Sequence, residues 1–272
     1  STVFIDEAAQ ALEPATWIPV MKAKRVIFAG DHHQLPPTIK SYTAAKEGLE
    51  VSLFEKAMKK QKASILLNEQ YRMHEDIMSF SNTLFYQGQL KAHKSVAGHL
   101  VFEGDRALEF IDTAGTGFHE SVDPETKSSY NTEEISLLSA HLNQYLETVL
   151  SIHPETPMSL GIIAPYKAQI ERLKEGVEIN QSPNLKISIN TIDGFQGQER
   201  DIIYISLVRS NEKGDIGFLS NQRRMNVAMT RAKKKLVIIG DSSTIGANPF
   251  YSEFLDYVQA QGGYKSAFEY LS

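Results

Sequence analysis

Val3-Phe4-Ile5-Asp6-Glu7-Ala8-Ala9-Gln10 is the stretch that decides the fold of this 272-residue chain. Three strand-favouring residues run straight into two adjacent carboxylates, the pattern of a short buried parallel strand with acidic groups at its carboxyl end. A hard Mg2+ ion takes one or two carboxylates together with water and phosphate oxygens, and a neighbouring Glu accepts a proton from an attacking water. The pair therefore suits a nucleoside triphosphatase in which Asp6 holds the metal and Glu7 activates water. It also suits an acidic helix N-cap after a strand, which the helix macrodipole favours. No G-x-x-x-x-G-K-[ST] loop occurs among these residues, although P-loop enzymes place that phosphate cradle ahead of the acidic strand. On this reading the cradle is expected in an upstream part of the same polypeptide.

Working outward, apolar runs bounded by turn residues alternate with helical patterns, which predicts an α/β fold around a mostly parallel sheet. Strands are predicted at Val3–Ile5, Arg25–Ala29, Ile65–Leu67, Leu108–Ile111, Leu160–Ala164, Ile187–Thr191, Ile202–Leu207 and Leu236–Ile239. A helix is expected after Asn131, which would cap it, with Glu134 completing a capping box. Ile135, Leu138, Leu142, Leu146 and Val149 share its inward face. A second helix is expected from Tyr166 to about Glu175, with Ile170 and Leu173 inward. The polar stretch between Asp112 and Tyr130 reads as a mobile surface loop. Residues 1–64 read as the end of one sheet domain and residues 65–272 as a complete second one.

Composition bounds the function classes. A 42% hydrophobic content supports a substantial core, and the absence of cysteine excludes disulfides and thiolate metal sites. Twenty-eight basic against thirty-three acidic residues give a net charge of -5, so contact with a polyanion would be local. No apolar run approaches the roughly 20 residues that span a bilayer. A soluble, intracellular protein, cytoplasmic and without a membrane partner, is expected.

Four further segments carry chemistry. Asp31-His32-His33-Gln34-Leu35-Pro36-Pro37 follows the second strand, where ligands of open α/β sheets bind. Gln34 could sense a terminal phosphate or orient water, and the two histidines read as local hydrogen-bonding groups. In Gln70-Tyr71-Arg72-Met73, Arg72 has the planar fork that clamps phosphates and Tyr71 a ring on which a base could stack. A packed aromatic with a snorkelling cation is the alternative. In Thr191-Ile-Asp193-Gly194-Phe195-Gln196-Gly197-Gln198-Glu199 two glycines free backbone amides for phosphates and Glu199 could accept from a ribose hydroxyl; a glycine-containing turn between strands is the alternative. In Arg223-Arg224-Met-Asn-Val-Ala-Met-Thr-Arg231, a seven-residue spacing places Arg224 and Arg231 on one helix face as a polyphosphate clamp. Lys233-Lys234-Lys235 reads as a solvated helix end.

In their order, these five segments, with Val208-Arg-Ser-Asn211 and Gly217-Phe-Leu219, resemble motifs II to VI of superfamily 1 helicases, of the nonsense-mediated-decay and immunoglobulin-mu-binding type. The resemblance implies a RecA-like parallel sheet flanked by helices, with a partial first domain and a complete second one. It implies ATP and Mg2+ as cofactors, a single DNA or RNA strand as partner, and 5′-to-3′ translocation. Asp6 would hold Mg2+, Glu7 would be the catalytic base and Gln34 would report the γ-phosphate. Arg72 and Arg231 would be arginine fingers, Tyr71 would stack on adenine, and Gly197, Glu199 and Arg224 would contact the nucleotide. Pro36, Pro37, Tyr166 and Thr191 would face the strand. The missing phosphate loop departs from the family pattern, so the chain alone is expected to be inactive. A catalytically silent binding module is the alternative, and a helicase fused to a nuclease a third reading.

Overall fold

The computed structural model describes residues 1–60, 63–177 and 182–271, in two compact units, Ser1–Leu67 and Asn68–Ser272. In the first unit, β1 (Thr2–Ile5) lies parallel to β2 (Arg25–Phe28), with Thr2 opposite Arg25 and Ile5 opposite Phe28. Helix α1 (Glu13–Val20) crosses between them and opens on a proline, whose missing N–H costs nothing in a first turn. Ala8, Ala9 and Phe54 form its small core, joined by Ile5, Phe28 and Met58, and α2 (Leu53–Lys60) supplies Phe54 and Met58. Ile65–Leu67, expected as a strand, is irregular, with Ile65 91% and Leu67 86% exposed. Strand propensity is largely a matter of fitting a pleated neighbour, and this run pairs with no strand among the described residues.

Among the described residues the second unit holds ten strands: β3 (Glu69–Gln70), β4 (Lys91–Ala92), β5 (Leu108–Asp112), β6 (Ser121–Val122), β7 (Ser129–Tyr130), β8 (Met158–Ala164), β9 (Leu185–Thr191), β10 (Arg200–Ser206), β11 (Ala232–Gly240) and β12 (Tyr264–Ser266). Six of them make an all-parallel sheet in the order β12-β5-β11-β10-β8-β9. Its longer helices are α3 (Glu75–Tyr86), α4 (Thr132–Ile152), α5 (Lys167–Gly176), α6 (Gln222–Met229) and α7 (Pro249–Ala260). The α/β class is thus borne out. The central strands are buried, as continuous apolar runs such as Ile202-Ile-Tyr-Ile205 require of a parallel sheet covered on both faces.

Helix α4 buries Ile135, Leu138, Leu142, Leu146 and Val149 as its period dictates. Asn131 Oδ1 accepts the Glu134 N–H at 3.0 Å, so the cap forms. The capping box does not. The Asn131 N–H goes instead to Gln169 Oε1 at 2.9 Å, and the Glu134 carboxylate turns inward to Ser206 and the Val208 N–H. The 112–130 segment is tied down rather than loose: β6 and β7 pair as a hairpin, and Asp123 at its turn accepts from Thr126 and from Arg172 at 3.2 Å.

Lys233–Lys235 is also not a helix end. It opens β11, and Lys235 is buried between Asp105 at 2.9 Å and Glu109 at 3.2 Å, with Tyr145 bonded to the same Asp105. A charge that loses its water must be paired, and two carboxylates supply the pairing.

Candidate functional site

The parallel sheet of the second unit has an amino edge, where strands begin, and a carboxyl edge, where they end. Chain direction sorts the candidate residues between them. Glu199 immediately precedes β10 and Arg231 immediately precedes β11, and Arg200 pairs with Ala232, so both lie at the amino edge. Arg72 joins them, because the following His74 donates its N–H to the Lys233 carbonyl at 2.8 Å. Its Nε donates to Glu199 Oε2 at 2.5 Å and its Nη1 to the Thr230 carbonyl at 3.3 Å. Lys233 meets the other Glu199 oxygen at 2.8 Å. Segments far apart in sequence thus converge on one carboxylate and one helix end. Nη2 of Arg72 has no partner among the described residues, and the side chain is partly exposed.

Partial burial works to raise the Glu199 pKa, but hydrogen bonds from Lys233 and Arg72 outweigh it and hold the carboxyl below its ordinary range. Arg231 is buried. Its Nε donates to the Val227 carbonyl at 2.9 Å and its Nη1 to the Gln198 carbonyl at 3.4 Å. Gly197 sits nearby in the left-handed region at φ 71° with open space around it, the conformation for which glycine is the default residue. Gln70, which sequence reasoning passed over, builds the Arg72 turn: its Oε1 accepts the N–H groups of Arg72 and Met73 and its Nε2 donates to the Met73 carbonyl. Tyr71 is 61% exposed, stacked at 4.4 Å on His93 and hydrogen-bonded to Glu69.

The carboxyl edge gathers a different set. Thr191 ends β9 and accepts the Gly194 N–H at 3.3 Å, so that amide is already used within the turn. Tyr166 follows β8 and is buried, its hydroxyl accepting from the Phe218 N–H at 3.2 Å and from Arg209 at 3.4 Å. Arg224 lies here, not with Arg231. It is 3.5 Å from Asp193 and its guanidinium stands 5.7 Å from the Phe218 ring. The expected clamp of two arginines on one helix face is therefore not formed: α6 ends at Met229, and Arg231 folds back onto the Val227 carbonyl in its last turn while Arg224 stays in its first. After β10, Val208 adopts φ 73°, a strained conformation for a β-branched residue, and the Glu134 carboxylate accepts its N–H. Burial pushes the Glu134 carboxyl up, and bonds from Ser206, Val208 and Leu207 pull it partly back, leaving it at about 7.

In the first unit, Asp6 and Glu7 are exposed at the carboxyl end of β1, where Asp6 Oδ1 accepts the Glu7 N–H at 2.9 Å. Glu7 takes φ 48° and its carboxylate accepts from Gln10 at 2.7 Å. Gly30, at the end of the neighbouring β2, packs so close that a Cβ would sit 3.0 Å from the Ala8 nitrogen. Asp31 orders the next turn, accepting the His33 N–H and the Gln34 side-chain amide, each at 2.9 Å. Gln34 and Pro36 are half-buried and Pro37 is buried. Among the described residues no cluster of three or more His, Cys, Asp or Glu could hold a metal alone. Mg2+ bound through one carboxylate and substrate phosphates needs no such cage, so Asp6 fits that mode.

A family profile described as an AAA domain matches residues 49–243, and a second of the same description matches residues 1–42. The chain belongs to the superfamily 1 helicases that carry this domain. DNA-binding protein SMUBP-2 of Rattus norvegicus is 40% identical over 280 residues, 99% of this chain and 28% of that protein. DNA polymerase alpha-associated DNA helicase A of Saccharomyces cerevisiae is 39% identical over 266 residues, 88% of this chain and 38% of that protein. Helicase sen1 of Schizosaccharomyces pombe is 36% identical over 268 residues, 94% of this chain and 15% of its own. The helicase chain thus spans less than two fifths of the length of each of these relatives, and the family read from five ordered segments is borne out. Among the described residues no helix is long and apolar enough to cross a membrane.

Proposed function

We propose that this chain is part of an ATP-driven motor that moves along a single strand of DNA or RNA, in the 5′-to-3′ direction. The observation that carries the reading is the convergence of Arg72, Glu199 and the Thr230–Arg231 turn at the amino edge, three separate segments meeting at one partly open guanidinium. A guanidinium with an unused donor pair matches a phosphate oxygen, and a carboxylate already held ionised can accept from a sugar hydroxyl. Arg72 would neutralise charge that develops only as the γ-phosphate leaves, which is how such a residue accelerates the step. Glu7 would take the proton of the attacking water, with Gln34, fixed by Asp31, ordering that water. Asp6 would hold the Mg2+ ion that offsets phosphate charge when nucleotide is bound. The carboxyl edge, with Thr191 and the Tyr166 neighbourhood, would carry the strand.

The sequence holds no G-x-x-x-x-G-K-[ST] loop to cradle the β- and γ-phosphates, so by itself it should turn over ATP feebly or not at all. Joined to a segment bearing G-x-x-x-x-G-K-[ST], it should show nucleic-acid-stimulated turnover. The Glu7→Gln change should lower that turnover by roughly 100- to 10,000-fold. Stimulated turnover by the isolated chain would contradict the first expectation. A joined protein that hydrolyses nothing yet binds strands normally would favour a silent binding module.

A further inference from the structure

The Gly217–Ser220 turn on the carboxyl edge is pinned from several sides, yet it presents an aromatic ring to solvent. Phe218 is 56% exposed, although the residue after it, Leu219, is buried and its carbonyl accepts the Tyr251 hydroxyl at 2.9 Å. The Phe218 N–H donates to Tyr166, whose ring lies 5.2 Å away and supports it from behind. Gly217 makes this seat possible: it adopts φ 50°, and any Cβ there would fall 2.5 Å from the Tyr166 hydroxyl. Arg209 underneath is held by Glu120 at 3.1 Å and Asp215 at 2.8 Å, which closes the base of the turn. A single exposed apolar side chain is ordinary. Here the exposed ring has its backbone fixed by buried groups and the Arg224 guanidinium 5.7 Å from its centroid. Lys167, next to Tyr166, is exposed and has no ion-pair partner among the described residues.

We propose that Phe218 is a stacking platform for one base of a single-stranded nucleic acid, with Arg224 and Lys167 meeting the adjoining phosphates. An exposed π-face accepts any base, and preorganisation means that little side-chain freedom is lost on binding. Cations beside the ring suit the sugar-phosphate chain that must follow a stacked base. The platform lies on the same edge as Thr191, linked to that turn through the Arg224–Asp193 contact. This inference rests on the nucleic-acid reading above and adds to it a residue and a contact type.

The test uses the whole 272-residue chain and fluorescein-labelled single strands of about 12 nucleotides, within the usual footprint of such sites, at low salt, read by anisotropy. Phe218→Ala should weaken binding roughly 5- to 100-fold, and Phe218→Trp should restore it. On a strand of the same length made abasic, the wild-type chain and F218A should bind alike, because no base remains to stack. Circular dichroism melting checks that F218A stays folded; Phe218 is mostly outside the core, so its midpoint should match the wild type. Equal binding of the normal strand by wild type and F218A would overturn the platform and leave the nucleic-acid reading standing. So would an F218A loss that persists undiminished on the abasic strand. No binding by the wild-type chain would overturn both.

Discussion

The two edges of the six-stranded sheet use polar groups in opposite ways. At the amino edge Arg72, Glu199 and Lys233 form a partly exposed ion cluster whose partners can be exchanged for those of a ligand at little cost. At the carboxyl edge a second set of polar groups is buried and committed to partners within the fold. Glu134 binds Ser206 and the strained Val208, Gln169 binds Asn131 and Ser206, and Asp241 accepts from Ser210, Ser243 and Thr244. The first arrangement suits chemistry with a small polyanion that comes and goes. The second makes a braced shelf, which suits the strand path proposed past Phe218 and Thr191.

The largest effect that could sharpen this contrast is the loss of Arg72. In a protein that also carries the phosphate loop, Arg72→Ala should lower kcat for ATP by roughly 1,000- to 100,000-fold while leaving strand affinity within about threefold, the range of arginine-finger losses. Steady-state turnover and anisotropy on the same variant read the two arms, and an equal loss of both would erase the distinction between the edges. Next comes Glu134. Its folded pKa of about 7 lies above the ordinary 4.5, so between those values the unfolded chain ionises first and stability falls as pH rises, flattening above about 7. The decline should reach about 3 kcal/mol at most, since one pKa unit is about 1.4 kcal/mol. Urea unfolding across pH 4.5–7.5 should show a shallower slope in Glu134→Gln; an unchanged slope would place the titration elsewhere.

A smaller effect separates backbone from side chain at the amino edge. Gly197→Ala meets open space, so its cost is that of a left-handed alanine, about 1–2 kcal/mol in denaturant unfolding, without a clash. The smallest belongs to Glu199. Because its folded pKa is lowered, its contribution is present above the unfolded carboxylate pKa and is lost as pH falls through the folded value. The cluster is more than a third exposed, so screening keeps Glu199→Gln within about 1 kcal/mol of wild type in stability. A larger stability loss would mean that the cluster is structural rather than exchangeable.

Much of the scaffold was legible because periodicity and strand composition report burial directly. Ile135 to Val149 along α4 and the Ile202–Ile205 run are where such patterns put them. The Ile65–Leu67 run failed because composition cannot supply a pairing neighbour. Lys235 failed because a triple-lysine run reads as solvated unless its two acid partners, 130 and 126 residues away along the chain, are known. In the candidate site, residue types were legible but their grouping was not. A seven-residue spacing joins Arg224 to Arg231 only if the helix continues, and it stops at Met229. Glu134 read as a cap by spacing, whereas its real partners are brought in by β10. Phe218 lies within the family-like Gly217-Phe-Leu219 segment, and its exposure beside buried Tyr166 and Leu219 is what sets it apart, a feature no sequence pattern carries.

The division of labour between the edges is tested most directly by hydrogen–deuterium exchange on the chain joined to a phosphate-loop segment, comparing added nucleotide with added single strand. Nucleotide should slow exchange at residues 69–73, 196–200 and 230–233, and the strand at residues 166–168, 191–195 and 209–224. Protection of the first set by the strand and of the second by nucleotide would contradict the account.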